Sequence, residues 1–184
     1  AYERAIAAQV TPGLTVLDLG TGTGILALWA ARAGAQVCAV EPNGVIHVAE
    51  RVAADNGLAE RIRFLQADAR ELTLDEPVDV LITECMGNFF VTDEMQPVLR
   101  AARRLLKPGA STIPREISLH MAAATLPLWR ELTFFDEPIG GFDYRAARGF
   151  AEQSSYVLRT EPEFLIAEPQ TLTRFPLLDA PDVF

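Results

Sequence analysis

Three glycines at alternate positions, Gly20, Gly22 and Gly24, follow the apolar run Val16-Leu17-Asp18-Leu19 and lead into a helix-patterned segment, Ile25 to Arg32. Beyond Gly34 a second apolar run, Gln36 to Val40, ends in Glu41. Strand, glycine turn, helix and strand, with an acid about 20 residues past the first glycine, is the layout of a nucleotide-type cofactor site at the carboxyl edge of a parallel sheet. The pattern commits the amino-terminal part of the chain to an α/β fold.

The rhythm continues downstream. Helical spacing of Tyr2, Ile6 and Val10 predicts a helix over residues 1–10, closed by Thr11-Pro12-Gly13. The glycine turn falls between a strand at 15–19 and a helix at 24–32, with a second strand at 36–40. A helix comes next at 45–56, then a strand at 61–66 and a buried parallel strand at 78–83. A helix over 92–106 contains Pro97, the turn Lys107-Pro108-Gly109-Ala110 succeeds it, and Pro114 halts a strand at 111–113. After Pro114 the βαβ alternation stops. A strand at 116–123, a short helix at 144–152 and a short strand at 170–175 are all that the pattern supports. The chain therefore divides into an α/β domain, 1–114, and a smaller β-rich unit, 115–184, too short for a large core of its own.

Composition narrows the partners. With 49% apolar residues in a chain of 184, a real core is available. A net charge of −9 disfavours a phosphate backbone, so no nucleic acid is expected, and a basic peptide or amine suits the average field better. Cys38 and Cys85 form no spaced framework, and no apolar run approaches the roughly 18 residues of a membrane span. A cytoplasmic protein with free thiols and no membrane partner is the expectation. His47 and His120 lack acidic or cysteine neighbours at ligand spacing, so no metal is expected, and no serine elbow or Cys-His pairing supports nucleophilic catalysis.

The candidate site is built on the glycine turn. Without Cβ atoms, Gly20, Gly22 and Gly24 let a ligand approach the backbone. Thr21 and Thr23 add small hydroxyls. Asp18 either orients the turn through backbone N–H groups or reaches the ligand, and Glu41 can accept from two ribose hydroxyls. The third glycine comes one residue too early for the dinucleotide pattern, and no Gly-Lys-Ser/Thr succeeds it for a phosphate-binding loop. Beyond the third strand Asp68, next to Ala69, either accepts from an adenine amino group or caps the next turn. Pro42 either lies against the base or opens the next helix. Glu84, at the carboxyl end of a central strand beside Met86-Gly87, is the main candidate for chemistry. Asp93 and Glu94 bring more acid nearby, and paired carboxylates would bind a guanidinium and polarise or deprotonate the attacking nitrogen. An acidic first turn of the next helix also explains those two residues. Phe89 and Phe90 are candidates for a channel wall.

The stretches "VLDLGTGTGILALWAARAGA", "DVLITECMGNFF…DEM" and "ARRLLKPGASTIP", with Glu41 at its strand end, resemble the class I S-adenosylmethionine-dependent methyltransferases. More narrowly, they are similar to the protein arginine methyltransferases. The resemblance implies a Rossmann-like sheet with helices on both faces, then a partial β-barrel with a helical dimerisation arm from Gly140-Gly141-Phe142-Asp143-Tyr144 onward. It implies S-adenosylmethionine as cofactor and a protein or peptide with exposed arginine as partner. A homodimer is implied too. The glycine loop would cradle the methionine portion, Glu41 would hold the ribose, and Glu84 would be the first acid of a double-acid loop gripping the guanidinium. The second acid falls on Asp93, one methylene shorter than the family's glutamate. The family's adenine-contacting glutamate falls on Arg70, so Asp68 matches the broader class pattern. The family's cofactor-binding arginine and its distal Thr-His-Trp loop have no counterparts between Ala1 and Phe184, so a core fragment or a reduced relative is expected. A small-molecule methyltransferase and a methyltransferase-like module without turnover are the alternatives.

Overall fold

Side-chain alternation along the strands decides the architecture, because successive residues of a strand face opposite sides of the sheet. In β1 (Thr15–Leu19) Val16 joins one apolar layer while Leu17 and Leu19 join another. In β2 (Gln36–Val40) Val37 and Ala39 face the first layer, and Val40 and the half-buried Cys38 face the second. In β4 (Val78–Thr83) Val80 and Ile82 face the first and Leu81 the second. Strands buried on both faces need helices on both faces, which is why these segments read as near-continuous apolar runs.

A computed structural model describes residues 1–85, 95–125, 132–154, 156 and 161–179. On the first face lie α1 (Tyr2–Gln9) through Ile6, α2 (Ile25–Arg32) through Leu26, Ala27, Ala30 and Ala31, and α3 (Ile46–Asp55) through Ala53. The second face is covered by Leu99 and Ala102 of α4 (Met95–Arg103), together with Leu72, Leu105, Phe175 and Leu177. With β3 (Ile62–Leu65) and β5 (Leu106–Ile113), the sheet has five parallel strands in the order β3-β2-β1-β4-β5. The chain steps outward from β1 to β3 and then returns to place β4 on the other side of β1. That reversal opens a crevice at the carboxyl ends of β1 and β4, where sheets of this kind hold their ligands.

The opposite edge is clipped shut. Asp79 Oδ2 accepts from the Thr15 N–H at 2.9 Å and the Thr15 hydroxyl at 2.8 Å, and Oδ1 accepts from Lys107 Nζ at 2.9 Å. The Thr15 N–H, Lys107 and the Thr15 hydroxyl, in that order, hold the Asp79 carboxyl down at about 2.

The chain forms two units, one of Ala1–Ile117 with the described residues from Phe175 onward, the other Ser118–Arg174. β6 (Glu116–Met121) and β7 (Gln170–Pro176) pair in a separate two-stranded sheet. Within the second unit Arg148, on the helix Arg145–Glu152, donates to Asp136 and Glu152, each at 2.7 Å. A β-bridge between Ile139 and Phe142 encloses Gly140 and Gly141. The expected α/β sheet, β-rich second unit and helical arm are thus present.

Two neighbouring elements differ from expectation: the helix expected over 92–106 ends at Arg103, and the strand expected at 111–113 already begins at Leu106. The residues read as a turn, Lys107 to Ala110, lie inside β5: Leu106 pairs with Val78 and Ser111 with Val80, so the intervening residues bulge out of register. A bulge accommodates Pro108, which has no N–H for a ladder, and Gly109, whose φ is 80°. Residues 92–94 of the helix expected at 92–106 lie outside the described residues.

Candidate functional site

Where β1 leaves the sheet, Gly20 N–H and Thr21 N–H both donate to the Val40 carbonyl, at 2.9 and 3.0 Å, so the glycine turn rests on the end of β2. Gly20 has φ 71°, and a Cβ there would meet Cys85 Sγ at 3.0 Å. Gly24 has φ 90° and precedes α2, and its Cβ would stand 2.9 Å from the Ala49 Cβ of α3. Both positions exclude a side chain through conformation and crowding together. Gly22 is different: a Cβ there meets nothing within 4 Å, so its backbone faces open space.

Two acids support the turn from beneath. Glu41, 7% exposed, accepts from Gly22 N–H through Oε2 at 3.2 Å. Its Oε1 accepts from the Asn43 N–H at 3.1 Å and the Asn43 side-chain amide at 2.9 Å. Asp18 is fully buried: Oδ2 accepts from the Thr21 hydroxyl at 2.7 Å, and among the described residues no donor stands at hydrogen-bond geometry to Oδ1. Burial raises its carboxyl to about 6, and the Glu41 charge adds to the rise. The Thr21 hydroxyl and the Ala27 N–H in the first turn of α2 oppose it. Asp18 therefore orients the turn through a side-chain hydroxyl and keeps one buried acceptor with no described donor at hydrogen-bond geometry.

At the end of β4 the ladder closes with Leu19 opposite Thr83. Carbonyls at this edge need other donors. The Leu19 carbonyl accepts from the Thr83 hydroxyl at 3.0 Å and from Cys85 Sγ at 3.6 Å, and these two side chains lie 2.9 Å apart. The Thr83 carbonyl accepts from the Tyr2 hydroxyl of α1 at 2.9 Å. Glu84, exposed, leaves the sheet between these anchors. Burial pushes the Tyr2 phenol up to about 12, with the negative fields of Glu84, Cys85 and Asp18 adding smaller rises. The Cys85 thiol is also raised by burial, with Asp18 and Glu84 contributing and the Thr83 hydroxyl opposing. The strand end that carries Glu84 and the strand end that opens the glycine turn are thus joined through Thr83 and Cys85.

Asp68 and Ala69 are half-buried beyond β3. The Asp68 carboxylate accepts from Arg70 N–H at 2.8 Å and from Arg70 Nε at 3.0 Å, and the Arg70 guanidinium holds it near a pKa of 2. The Arg70 N–H bond to Asp68 closes this turn, and Arg104 braces it by donating to the Arg70 and Leu72 carbonyls, each at 2.8 Å. Pro42 is exposed, its carbonyl accepting from Gln66 at 3.3 Å, and Thr23 is exposed. Asp93, Glu94, Met86, Gly87, Phe89 and Phe90 lie outside the described residues. Among the described residues no group of three or more His, Cys, Asp or Glu side chains is gathered as a metal site. A cavity of about 360 Å³ lined by Thr15, Gln36, Arg61 and Val78 lies at the opposite edge of the sheet and takes no part in the crevice.

Sequence reasoning missed Tyr2, Thr83 and Cys85 as neighbours of the site. Tyr2 reads as one position on a helix face, and its contact with Thr83 spans 81 residues, so no local pattern encodes it.

A family model described as a methyltransferase domain matches residues 16–109. The chain is similar to protein arginine N-methyltransferase 6 of Xenopus laevis, 32% identical over 174 residues, which cover 90% of this chain and 49% of that protein. It is also similar to the ribosomal protein arginine N-methyltransferase rmt3 of Schizosaccharomyces pombe, 34% identical over 171 residues, 91% of this chain and 32% of that protein. The chain spans half or less of the length of these curated relatives. Among solved structures, the Trypanosoma brucei PRMT1 enzyme–prozyme heterotetrameric complex with AdoHcy is similar at a TM-score of 0.88 and 28% identity, covering 98% of this chain and 59% of that one. Arabidopsis thaliana protein arginine methyltransferase 10 is similar at a TM-score of 0.80 and 28% identity, with the same coverage.

Proposed function

Since the chain belongs to the methyltransferase-domain family of the class I fold, with the protein arginine methyltransferases as close homologues, we propose that it transfers a methyl group from S-adenosylmethionine to a guanidinium nitrogen of an arginine in a protein or peptide. The observation that carries this reading is the position of Glu84 at the carboxyl end of β4, the strand beside β1 and its glycine turn, just beyond the Thr83 carbonyl that the Tyr2 hydroxyl holds.

Three features support the cofactor. Gly22 has open space where a side chain would stand, Glu41 Oε2 holds a single donor among the described residues and keeps a lone pair for a ribose hydroxyl, and Asp18 Oδ1 is a buried acceptor with no described donor at hydrogen-bond geometry. The turn from Gly20 to Gly24 with Asp18 and Glu41 would hold the cofactor, and Pro42, Asp68 and Ala69 would flank its base. When bound, it supplies a methyl group on a positively charged sulfur. Glu84 would accept two N–H bonds from the acceptor guanidinium and fix its plane. The same carboxylate, with Asp93, draws positive charge away from the attacking nitrogen and takes up the proton that nitrogen releases. Alignment and carboxylate electrostatics then supply most of the rate enhancement. A homodimer is part of the proposal, supported by exposed Phe134, Phe142, Tyr144 and Phe150 in the second unit.

Calorimetry with S-adenosylhomocysteine tests the cofactor. Saturable binding is expected, weakened at least about tenfold by Glu41→Ala, which removes a charged acceptor. Labelled methyl transfer to arginine peptides, compared with small amines and phenols, tests the acceptor. Preference for a small amine or phenol would replace arginine in this account.

A further inference from the structure

Nothing in the cofactor or acceptor roles uses Tyr2, yet it ties α1 to the strand end that carries Glu84, its hydroxyl donating to the Thr83 carbonyl at 2.9 Å. The hydroxyl of Thr83 and the thiol of Cys85 are committed to the Leu19 carbonyl. Residues 83 and 85, on either side of Glu84, are therefore both tied down, one to α1 and both to β1. Glu84 itself is exposed, so burial does not fix the direction of its side chain. Transfer in line to a held nitrogen tolerates only small errors of placement.

We propose that Tyr2 is a positioning residue for the reaction: its hydroxyl, with the Thr83 hydroxyl and the Cys85 thiol, fixes the main chain of residues 83–85 and thereby the direction in which the Glu84 carboxylate meets the acceptor. This rests on the reading of Glu84 as the group that grips the acceptor. The raised phenol keeps Tyr2 a donor throughout the neutral range. Removing one such hydrogen bond loosens the strand end without removing any group that contacts substrate.

The test is Tyr2→Phe in the intact protein. We expect kcat for transfer to an arginine peptide to fall roughly three- to tenfold, as for the loss of one neutral hydrogen bond. The S-adenosylhomocysteine dissociation constant is expected to stay close to that of the parent protein, and the thermal midpoint to fall by only a few degrees. Thr83→Val, which removes the tie to the Leu19 carbonyl, should lower kcat in the same direction, and Thr83→Ser should restore it. In a Glu84→Asp background, whose shorter side chain is already displaced, Tyr2→Phe should cost less than in the parent, because residues acting as a unit are not additive. Unchanged kcat in both Tyr2→Phe and Thr83→Val overturns the proposal, as does a cofactor affinity that falls in step with kcat. Full activity in Glu84→Gln instead contradicts the underlying reading of Glu84, whichever way Tyr2→Phe behaves. Absence of transfer by the parent protein to every acceptor overturns both.

Discussion

The contribution of Asp18 to the pH dependence of stability has a definite sign, opposite to that of Asp68, Asp79 and Asp143, whose carboxyls are lowered. The Asp18 carboxyl titrates at about 6 in the folded protein against 3.8 in an unperturbed chain, so the folded state binds the proton more tightly. Below about pH 4 the group is protonated in both states and carries no penalty. As pH rises through 4 to 6 the unfolded chain releases the proton first, and folding is disfavoured by an amount that levels off above 6. That amount is on the order of 2–3 kcal/mol, at 1.36 kcal/mol per unit. Asp18→Asn keeps an acceptor for the Thr21 hydroxyl and removes the charge. It should therefore melt higher than the parent at pH 8, and the difference should shrink as the pH approaches 4. Melting curves that run parallel across this range would show that Asp18 is not the buried acid described.

At the scale of elements, the glycine turn works because two of its residues also serve as spacers between elements. Gly24→Ala would force φ 90° on a residue with a Cβ and press that Cβ to 2.9 Å from Ala49, where α2 meets α3. We expect a loss of roughly 2–3 kcal/mol in urea unfolding, the sum of backbone strain and overpacking. Gly44→Ala, with nothing within 4 Å and no positive φ, should change stability by less than about 0.5 kcal/mol. Equal effects at the two positions would remove the packing argument. The same contrast separates what the sequence makes legible from what it does not. Strands β1, β2 and β4 fall where their apolar runs predict, at 15–19, 36–40 and 78–83, because burial on both faces writes itself into consecutive residues. β5 does not, because its course from Leu106 is set by pairing with Val78 across the sheet while its own residues, Pro108 and Gly109, spell a turn. Within the site, Asp18 and Glu41 are legible from their spacing to the glycines. The roles of Tyr2 and Cys85 arise from contacts across 81 and 66 residues, which no local pattern records. The pairing of Asp68 with Arg70 is half legible: the turn can be read, but which of two partners the carboxylate takes depends on side-chain placement.

Across the whole molecule, a net charge of −9 and the acids at the crevice form a field suited to a cationic acceptor, and Asp18, Glu41 and Glu84 lie on the same edge of one parallel sheet. The division of labour proposed for that edge is that Glu41 and the glycine turn hold the methyl donor while Glu84 holds the acceptor. Glu84→Gln preserves size and removes the charge, and the Gly22 and Asn43 contacts of Glu41 do not involve it. The most direct measurement compares parent and Glu84→Gln for binding of S-adenosylhomocysteine and for labelled methyl transfer to an arginine peptide. The account predicts unchanged cofactor binding with transfer reduced by about a hundredfold or more, the scale of a lost charged contact in the transition state. Transfer at the parent rate, or loss of transfer only in step with loss of cofactor binding, would contradict it.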